Sequence, residues 1–390
     1  MLLRIRIEMK RTKSITVIML LAVMTGCGEG KKQSTDDVVT VDVVANYPEK
    51  ELILQDFMDV EYIALETTDE FITQGVVEDV GKNYILVRNY RDGDIFIFDR
   101  TGKGIRKINR FGQGGEEYSQ MTKITLDEDN NEMFIKDHSA KRILVYGING
   151  NFKRSFKFVD DSNYEYIYNY DRDNLICYKD YFSVENKPRC HVLVSKQDGS
   201  ITREIQIPFK EFKTPFFIKD DLTIMPAFYL TFPYPDKWLL MNTSSDTIFS
   251  YLPDGNLRPF IIRTPSIQTM ETEVFLYPSV ITDRYYFMYT QKKEVDLTTM
   301  KGFPMTDLVY DKQENALFKS IVYNDDFSNK KKVNLYSKGV NQDIALYQSL
   351  NAFDLIEANE KGQLKGRLKE IAAELDEESN SVIMLVKYKP

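Results

Sequence analysis

The reactive side chains of this sequence are few. It holds 2 histidines, His138 and His191, and 3 cysteines, Cys27, Cys177 and Cys190, among 390 residues. These spacings build no zinc framework, and no catalytic constellation stands out. One glycine-rich stretch, Gly112-Gln113-Gly114-Gly115-Glu116-Glu117-Tyr118, invites a phosphate-cradle reading. Two acidic residues follow its glycines, and no Lys with Ser or Thr stands at P-loop spacing. A tight turn needing positive φ is the better reading. Glu116 and Glu117 are neighbours in sequence and point apart, so they make a poor acid–base pair. That leaves recognition chemistry: Tyr90, Tyr234 and Trp238 as stacking surfaces, with Arg88 and Arg110 as cationic anchors. Protein cores also consume many aromatics, and core is the commoner role for each of these.

Cys27 belongs to a different kind of signal. Arg4, Arg6, Lys10, Arg11 and Lys13 precede an apolar run from Ile15 to Met24, which ends in Thr25-Gly26-Cys27. The run is too short to span a bilayer, where roughly 20 residues are needed, and reads as the h-region of a signal peptide. Small residues before the Cys resemble the lipobox of bacterial lipoproteins; an ordinary cysteine after a normal cleavage site is the alternative. The resemblance implies cleavage before Cys27, lipid on that residue, and a place in the cell envelope at the outer membrane. Residues 28–40 read as a flexible tether, leaving 41–390 for the folded part. Removing residues 1–26 takes five basic residues and Glu8 from the 51 basic and 59 acidic residues of the whole chain, so the mature net charge is −12. No basic stripe is present for phosphates, so nucleic acid is not an expected partner.

The elements that position these residues repeat. Ile95-Phe-Ile-Phe-Asp99, a turn through Gly102, and Gly104-Ile-Arg-Lys-Ile108 read as strand, tight turn and returning strand. Similar units carry Gly150, Gly199 and Gly255, with weaker copies at Asn315 and at Phe353–Ile356 with Gly362. The steps between these markers are 48, 49, 56, 60 and 47 residues. Each step holds four short strands, the size of a propeller blade. High aromatic content (24 Tyr, 24 Phe) favours strands as well. Leu364, Leu368, Ile371 and Leu375 mark one apolar helix face before the last strand.

Arg110-Phe-Gly-Gln-Gly-Gly-Glu-Glu-Tyr118, Ile124-Thr-Leu-Asp127, Met133-Phe-Ile-Lys-Asp137 and Lys141–Tyr146 together resemble an NHL repeat. Beyond that, the chain resembles the six-bladed β-propeller lipoproteins of Gram-negative bacteria. The resemblance implies an all-β fold: six four-stranded blades, a short C-terminal helix, and closure by Val60–Leu65 against Val382–Lys389. It implies no particular activity. Enzymes that resemble this fold, lactonases and lyases, hold a metal near the axis through several His, Asp, Glu or Asn side chains. Here His138 would need carboxylates from other blades, and no spacing identifies them. A carboxylate-only calcium site at the axis stays open.

Propeller topology sorts the loops. With strands A to D running outward, the B–C and D–A links share one face, and the A–B and C–D turns share the other. The marker turns are C–D turns. The long connections fall opposite: Asn89–Gly93, His138–Lys141, Lys179–Pro188, Thr231–Trp238 and Gln291–Pro304, with Gly112–Tyr118 as a D–A link. Long loops on one side of a rigid scaffold are where recognition usually sits. The expected contact residues are Arg88, Tyr90, Arg110, Gln113, Glu116, Glu117, Tyr118, His138, Tyr234 and Trp238. Two functional readings follow. One is a tethered binding scaffold for a glycan, a peptide or an envelope protein; the other is a metal-assisted lyase or hydrolase working at the axis. Last, Cys177 and Cys190 fall in strands joined by the loop 180–188. If that hairpin turns near Ser183–Val184, opposed positions total 367, as 177 and 190 do, which would permit a disulfide.

Overall fold

The computed structural model describes residues 38–73, 76–180, 189–299, 301–336 and 339–389. The signal segment, Cys27 and most of the tether lie outside the described residues.

Strand C of blade 1 shows why the sequence folds this way. Ile95, Phe96, Ile97 and Phe98 alternate sides along an extended chain, yet all four are fully buried. Phe96 and Phe98 pack with Ile383 and Leu385 of the last blade. Ile95 and Ile97 pack with Ile124, Ile135 and Leu144 of the next. A blade wedged between two neighbours buries both faces, so its middle strands read as continuous apolar runs.

Five sheets follow the A-to-D pattern in chain order. Blade 1 is Val76–Val80, Tyr84–Arg88, Asp94–Asp99 and Gly104–Asn109, and blade 2 is Met121–Asp127, Glu132–Asp137, Arg142–Gly147 and Phe152–Lys157. Blade 3 is Asn163–Asn169, Asn174–Asp180, Cys190–Ser195 and Ile201–Ile205. Blade 4 is Thr231–Tyr234, Lys237–Leu240, Thr247–Tyr251 and Leu257–Thr264. Blade 5 is Val274–Ile281, Tyr285–Lys292, Met305–Asp311 and Ala316–Asn324. The marker residues Gly102, Gly150, Gly199, Gly255 and Asn315 all turn their C–D hairpins at positive φ.

Blade 6 is composite. Ile344–Leu350 and Val382–Tyr388 pair antiparallel, and Met58–Ala64 adds the outer strand from the N-terminal end, with Met58 opposite Tyr388 and Ala64 opposite Val382. The expected closure is therefore present. On the way there the chain runs along the outside of two other blades. Val39–Asp42 lies parallel to the outer strand of blade 4, and Glu49–Ile53 lies parallel to that of blade 5. These additions cover two sheet edges that would otherwise expose unpaired backbone groups. Val39 is buried in this pairing, so the fold takes in residues 39 and 40, which the sequence reading left in the tether. Gly102 meets the closing strand directly: its carbonyl accepts the Glu66 N–H at 2.8 Å, and a Cβ there would strike the Ala64 carbonyl.

The sixth marker is a correction. Phe353–Ile356 lies in the helix Ala352–Glu360, and Gly362, at φ +66°, follows its C-terminus. Asn351 caps this helix by accepting the Asp354 N–H, and Glu357 pairs with Lys361 one turn on at 2.6 Å. A glycine in the left-handed region ends a helix as readily as it turns a hairpin. The expected apolar face is present in the second helix, Gly366–Ala372, where Leu368 and Ile371 are buried together with Leu364 just before it. The sheet of blade 6 has three strands rather than the expected four; taken as strands B, C and D, they place both helices in its B–C link.

Candidate functional site

The innermost strands carry few charges, and two of them, Glu78 and Lys123, meet at one place beside Arg88. In strand A of blade 1 a register shift falls between Val77 and Asp79, beside Glu78. Glu78 lies beside Arg88, at the end of strand B, and Lys123, in strand A of blade 2. Its Oε1 is 2.5 Å from Arg88 Nε, and its Oε2 is 3.4 Å from Lys123 Nζ. Oε2 also accepts the Ile124 N–H at 3.1 Å. Arg88 spends two further N–H groups on the carbonyls of Met121 and Thr122, at 3.2 and 3.4 Å. All three side chains are buried. Removing any one would leave a buried charge poorly compensated, so the trio is rigid.

This trio lines a cavity of about 480 Å³ at the axis, on the face of the B–C and D–A links. Tyr90, Tyr229 and Tyr347 complete its wall with Gln348 and Ser349. The Tyr90 ring lies on the Arg88 guanidinium, 4.4 Å from its centroid, and is largely exposed. Burial raises the pKa of the Tyr229 and Tyr347 hydroxyls, which stay protonated at neutral pH. Sequence reasoning found Arg88 and Tyr90 and missed Glu78, Lys123, Tyr229 and Tyr347. The available signal was a charged residue inside an innermost strand, as in Val76-Val-Glu-Asp-Val80, because polar positions there face the axis.

The segment Arg110–Tyr118 is built as an interblade turn. Tyr118 is fully buried; its hydroxyl donates to the Gly93 carbonyl at 2.7 Å and accepts the Arg110 N–H at 2.9 Å. Glu117 accepts the Gly114 N–H at 2.8 Å, so the carboxylate closes the glycine turn from within. Arg142 reaches the carbonyls of Gly115 and Glu117 at 2.9 and 2.6 Å, and Tyr146 donates to the Glu116 carbonyl. Arg110, Gln113 and the Glu116 side chain remain on the surface of the same face. His138 is half-buried in the B–C turn of blade 2, its N–H bonded to the Gln120 carbonyl at 2.9 Å.

Tyr234 and Trp238 require a correction. Thr231–Tyr234 and Lys237–Leu240 are strands A and B of blade 4, so their two-residue turn lies on the opposite face from the long loops. Pro233 suggests a loop but is tolerated because strand A is the inner edge of its sheet, paired on one side only. Tyr234 is buried and donates to the Ser279 carbonyl at 2.5 Å. Trp238 is 4 % exposed, packed edge-on against Tyr168 with centroids 5.6 Å apart. It borders a second axial cavity, of about 290 Å³, at the other mouth. Neither residue can anchor a partner on the loop-rich face.

The family model DUF5128, described as a 6-bladed beta-propeller, matches residues 29–347. The protein belongs to that family.

Among solved structures, a protein of Bacteroides fragilis described as exported aligns with this DUF5128 propeller at 15% identity and a TM-score of 0.62, covering 90% of this chain and 100% of that one. That likeness shows the shared fold. A member of the duf4221 family from Bacteroides vulgatus matches at 10% identity and TM-score 0.47, covering 86% of this chain and 99% of that one. A virginiamycin B lyase from Staphylococcus aureus matches at 12% identity and TM-score 0.36, covering 72% and 90%. No curated protein matches the sequence.

Two further expectations meet the DUF5128 propeller's geometry. Among the described residues, no three His, Cys, Asp or Glu side chains gather closely enough to hold a metal ion. Cys177 and Cys190 are free thiols. Cys190 stands opposite Lys179 and Cys177 opposite Val192, so opposed positions total 369 rather than 367. The two-residue offset keeps both sulfurs in one apolar cluster, but places them diagonally, beyond bridging distance. Burial pushes the Cys190 thiol up to about 11.

Proposed function

We propose that this propeller is an exported, lipid-anchored binding scaffold that docks a glycan, a peptide or an envelope protein on its loop-rich face. The observation that carries this reading is the distribution of exposed apolar side chains. Of 14 large exposed hydrophobic residues among those described, 10 lie in B–C or D–A links, and none lies in an A–B or C–D turn. The D–A link into blade 4 alone presents Phe209, Phe212, Ile218, Leu222 and Met225. Tyr90, Phe111, Leu297 and Phe353 join them from other blades. Exposed apolar surface on one side of a rigid monomer marks an interaction face. The leader and Cys27 support export and anchoring, and the short, polar C–D turns suit a face that stays in water.

Photo-crosslinking in cells tests the reading. A crosslinking residue replacing Tyr90, Phe111 or Ile218 should give specific adducts, while one replacing Asn83, Asn149 or Asp254 should give none. Adducts confined to the second set would overturn it.

A further inference from the structure

The axial cavity at the loop-rich mouth has a charge that its own side chains do not cancel. Two cations, Arg88 and Lys123, face one carboxylate, Glu78, and all three are buried. The neighbouring Asp79 is outside the cavity wall; it also attracts Lys123, but burial raises its pKa and so disfavours its charge. Its carboxylate borders the cavity at the other mouth, where it accepts the N–H groups of Val80 and Leu126, each at 2.9 Å. Arg88 uses three of its five N–H groups on Glu78, Met121 and Thr122, leaving two for a ligand. A buried excess of positive charge is costly unless an anion joins it.

The rest of the wall says what else the anion carries. Three phenol rings, Tyr90, Tyr229 and Tyr347, offer apolar faces for stacking, and their hydroxyls both donate and accept. Gln348 and Ser349 add further donors and acceptors. A purely apolar ligand would strand these groups, and a bare inorganic anion would leave the rings unused. A sugar ring presents C–H faces to aromatics and hydroxyls to groups that do both. The volume, about 480 Å³, lies within the roughly 300–1,000 Å³ usual for ligand pockets.

We propose that this cavity binds a hexuronate residue, with its carboxylate against Arg88 and Lys123 and its ring among Tyr90, Tyr229 and Tyr347. The inference rests on the loop-rich face being the binding face and names the chemistry of its centre. Saturation-transfer NMR on the mature chain, with glucuronate and digalacturonate as probes and glucose and acetate as controls, tests it. The uronates should bind at least tenfold more tightly than glucose or acetate. Tyr90→Ala and Tyr347→Phe, both at positions open to the cavity, should weaken uronate binding several-fold while the circular dichroism spectrum is kept. Asp254→Asn, on a distant turn, should leave it unchanged. Glucose binding as tightly as glucuronate would overturn the anion requirement, and acetate doing so would reduce the site to an adventitious ion only. No binding of either uronate would refute the inference outright. In that case, crosslinks that still map to the loop-rich face would leave the docking reading standing.

Discussion

His191 lets the packing between blades 3 and 4 be tested by pH. Its ring is buried beneath the entry to blade 4, with Nε2 3.0 Å from the Leu230 carbonyl and the Tyr178 ring edge-on at 5.1 Å. Desolvation lowers its pKa from 6.5 to about 4, because the imidazolium cannot be hydrated there. The unfolded chain takes up a proton below pH 6.5, whereas the folded chain does not until about pH 4. Stability from this residue is therefore complete above pH 6.5 and is lost as pH falls from 6.5 towards 4. At pH 4.5 the difference in proton binding amounts to about 2.6 kcal/mol. His191→Gln removes the titration and keeps a side-chain N–H for the Leu230 carbonyl. Urea unfolding at about pH 7 and at pH 4.5 should show the native protein losing roughly 2–3 kcal/mol more than the variant between the two conditions. Carboxylates that respond to acid do so in both proteins, and the comparison cancels them. An equal loss in the two would refute the buried, neutral imidazole.

Other expectations follow from closure, the thiols and the leader. Deleting residues 28–37 should leave the melting temperature nearly unchanged, whereas deleting 28–66 removes the outer strand of blade 6 and should aggregate the domain; equal melting temperatures would contradict the closed ring. Mass spectrometry of unreduced, denatured protein should show alkylation of both Cys177 and Cys190, and a bridge between them would contradict the register. Cys27→Ser should abolish acyl labelling and release the protein from membranes, and continued labelling would count against the lipid anchor.

Much of this architecture is legible from one sequence because blade geometry imposes local rules. A C–D hairpin needs a residue at positive φ between two apolar runs, so Gly102, Gly150, Gly199, Gly255 and Asn315 mark five blades by their spacing. The same rule misreads Gly362, since a helix C-terminus asks for the same backbone conformation. Blade 4 was misread for a related reason: Phe232-Pro-Tyr-Pro235 looks like a loop, yet an inner edge strand accepts proline. Once strands A and B are taken for a loop, Tyr234 and Trp238 move to the wrong face.

The site was half legible. Tyr90 and Arg88 were visible because they flank a loop on the correct face. Glu78, Lys123, Tyr229 and Tyr347 meet them only when blades 1, 2, 4 and 6 converge on the axis, across sequence separations that no local pattern reports. The cysteine register failed by two residues because the length of the intervening loop did not fix where its turn is centred.

The measurement that bears most directly on the scaffold reading is hydroxyl-radical footprinting of the anchored protein in intact envelopes, compared with the purified mature chain. Docking on the loop-rich face predicts protection of Tyr90, Phe111, Ile218 and Met225, with the turns at Asn149–Gly150 and Asp254–Gly255 equally reactive in both samples. Protection of those turns with the four loop residues unchanged would contradict it.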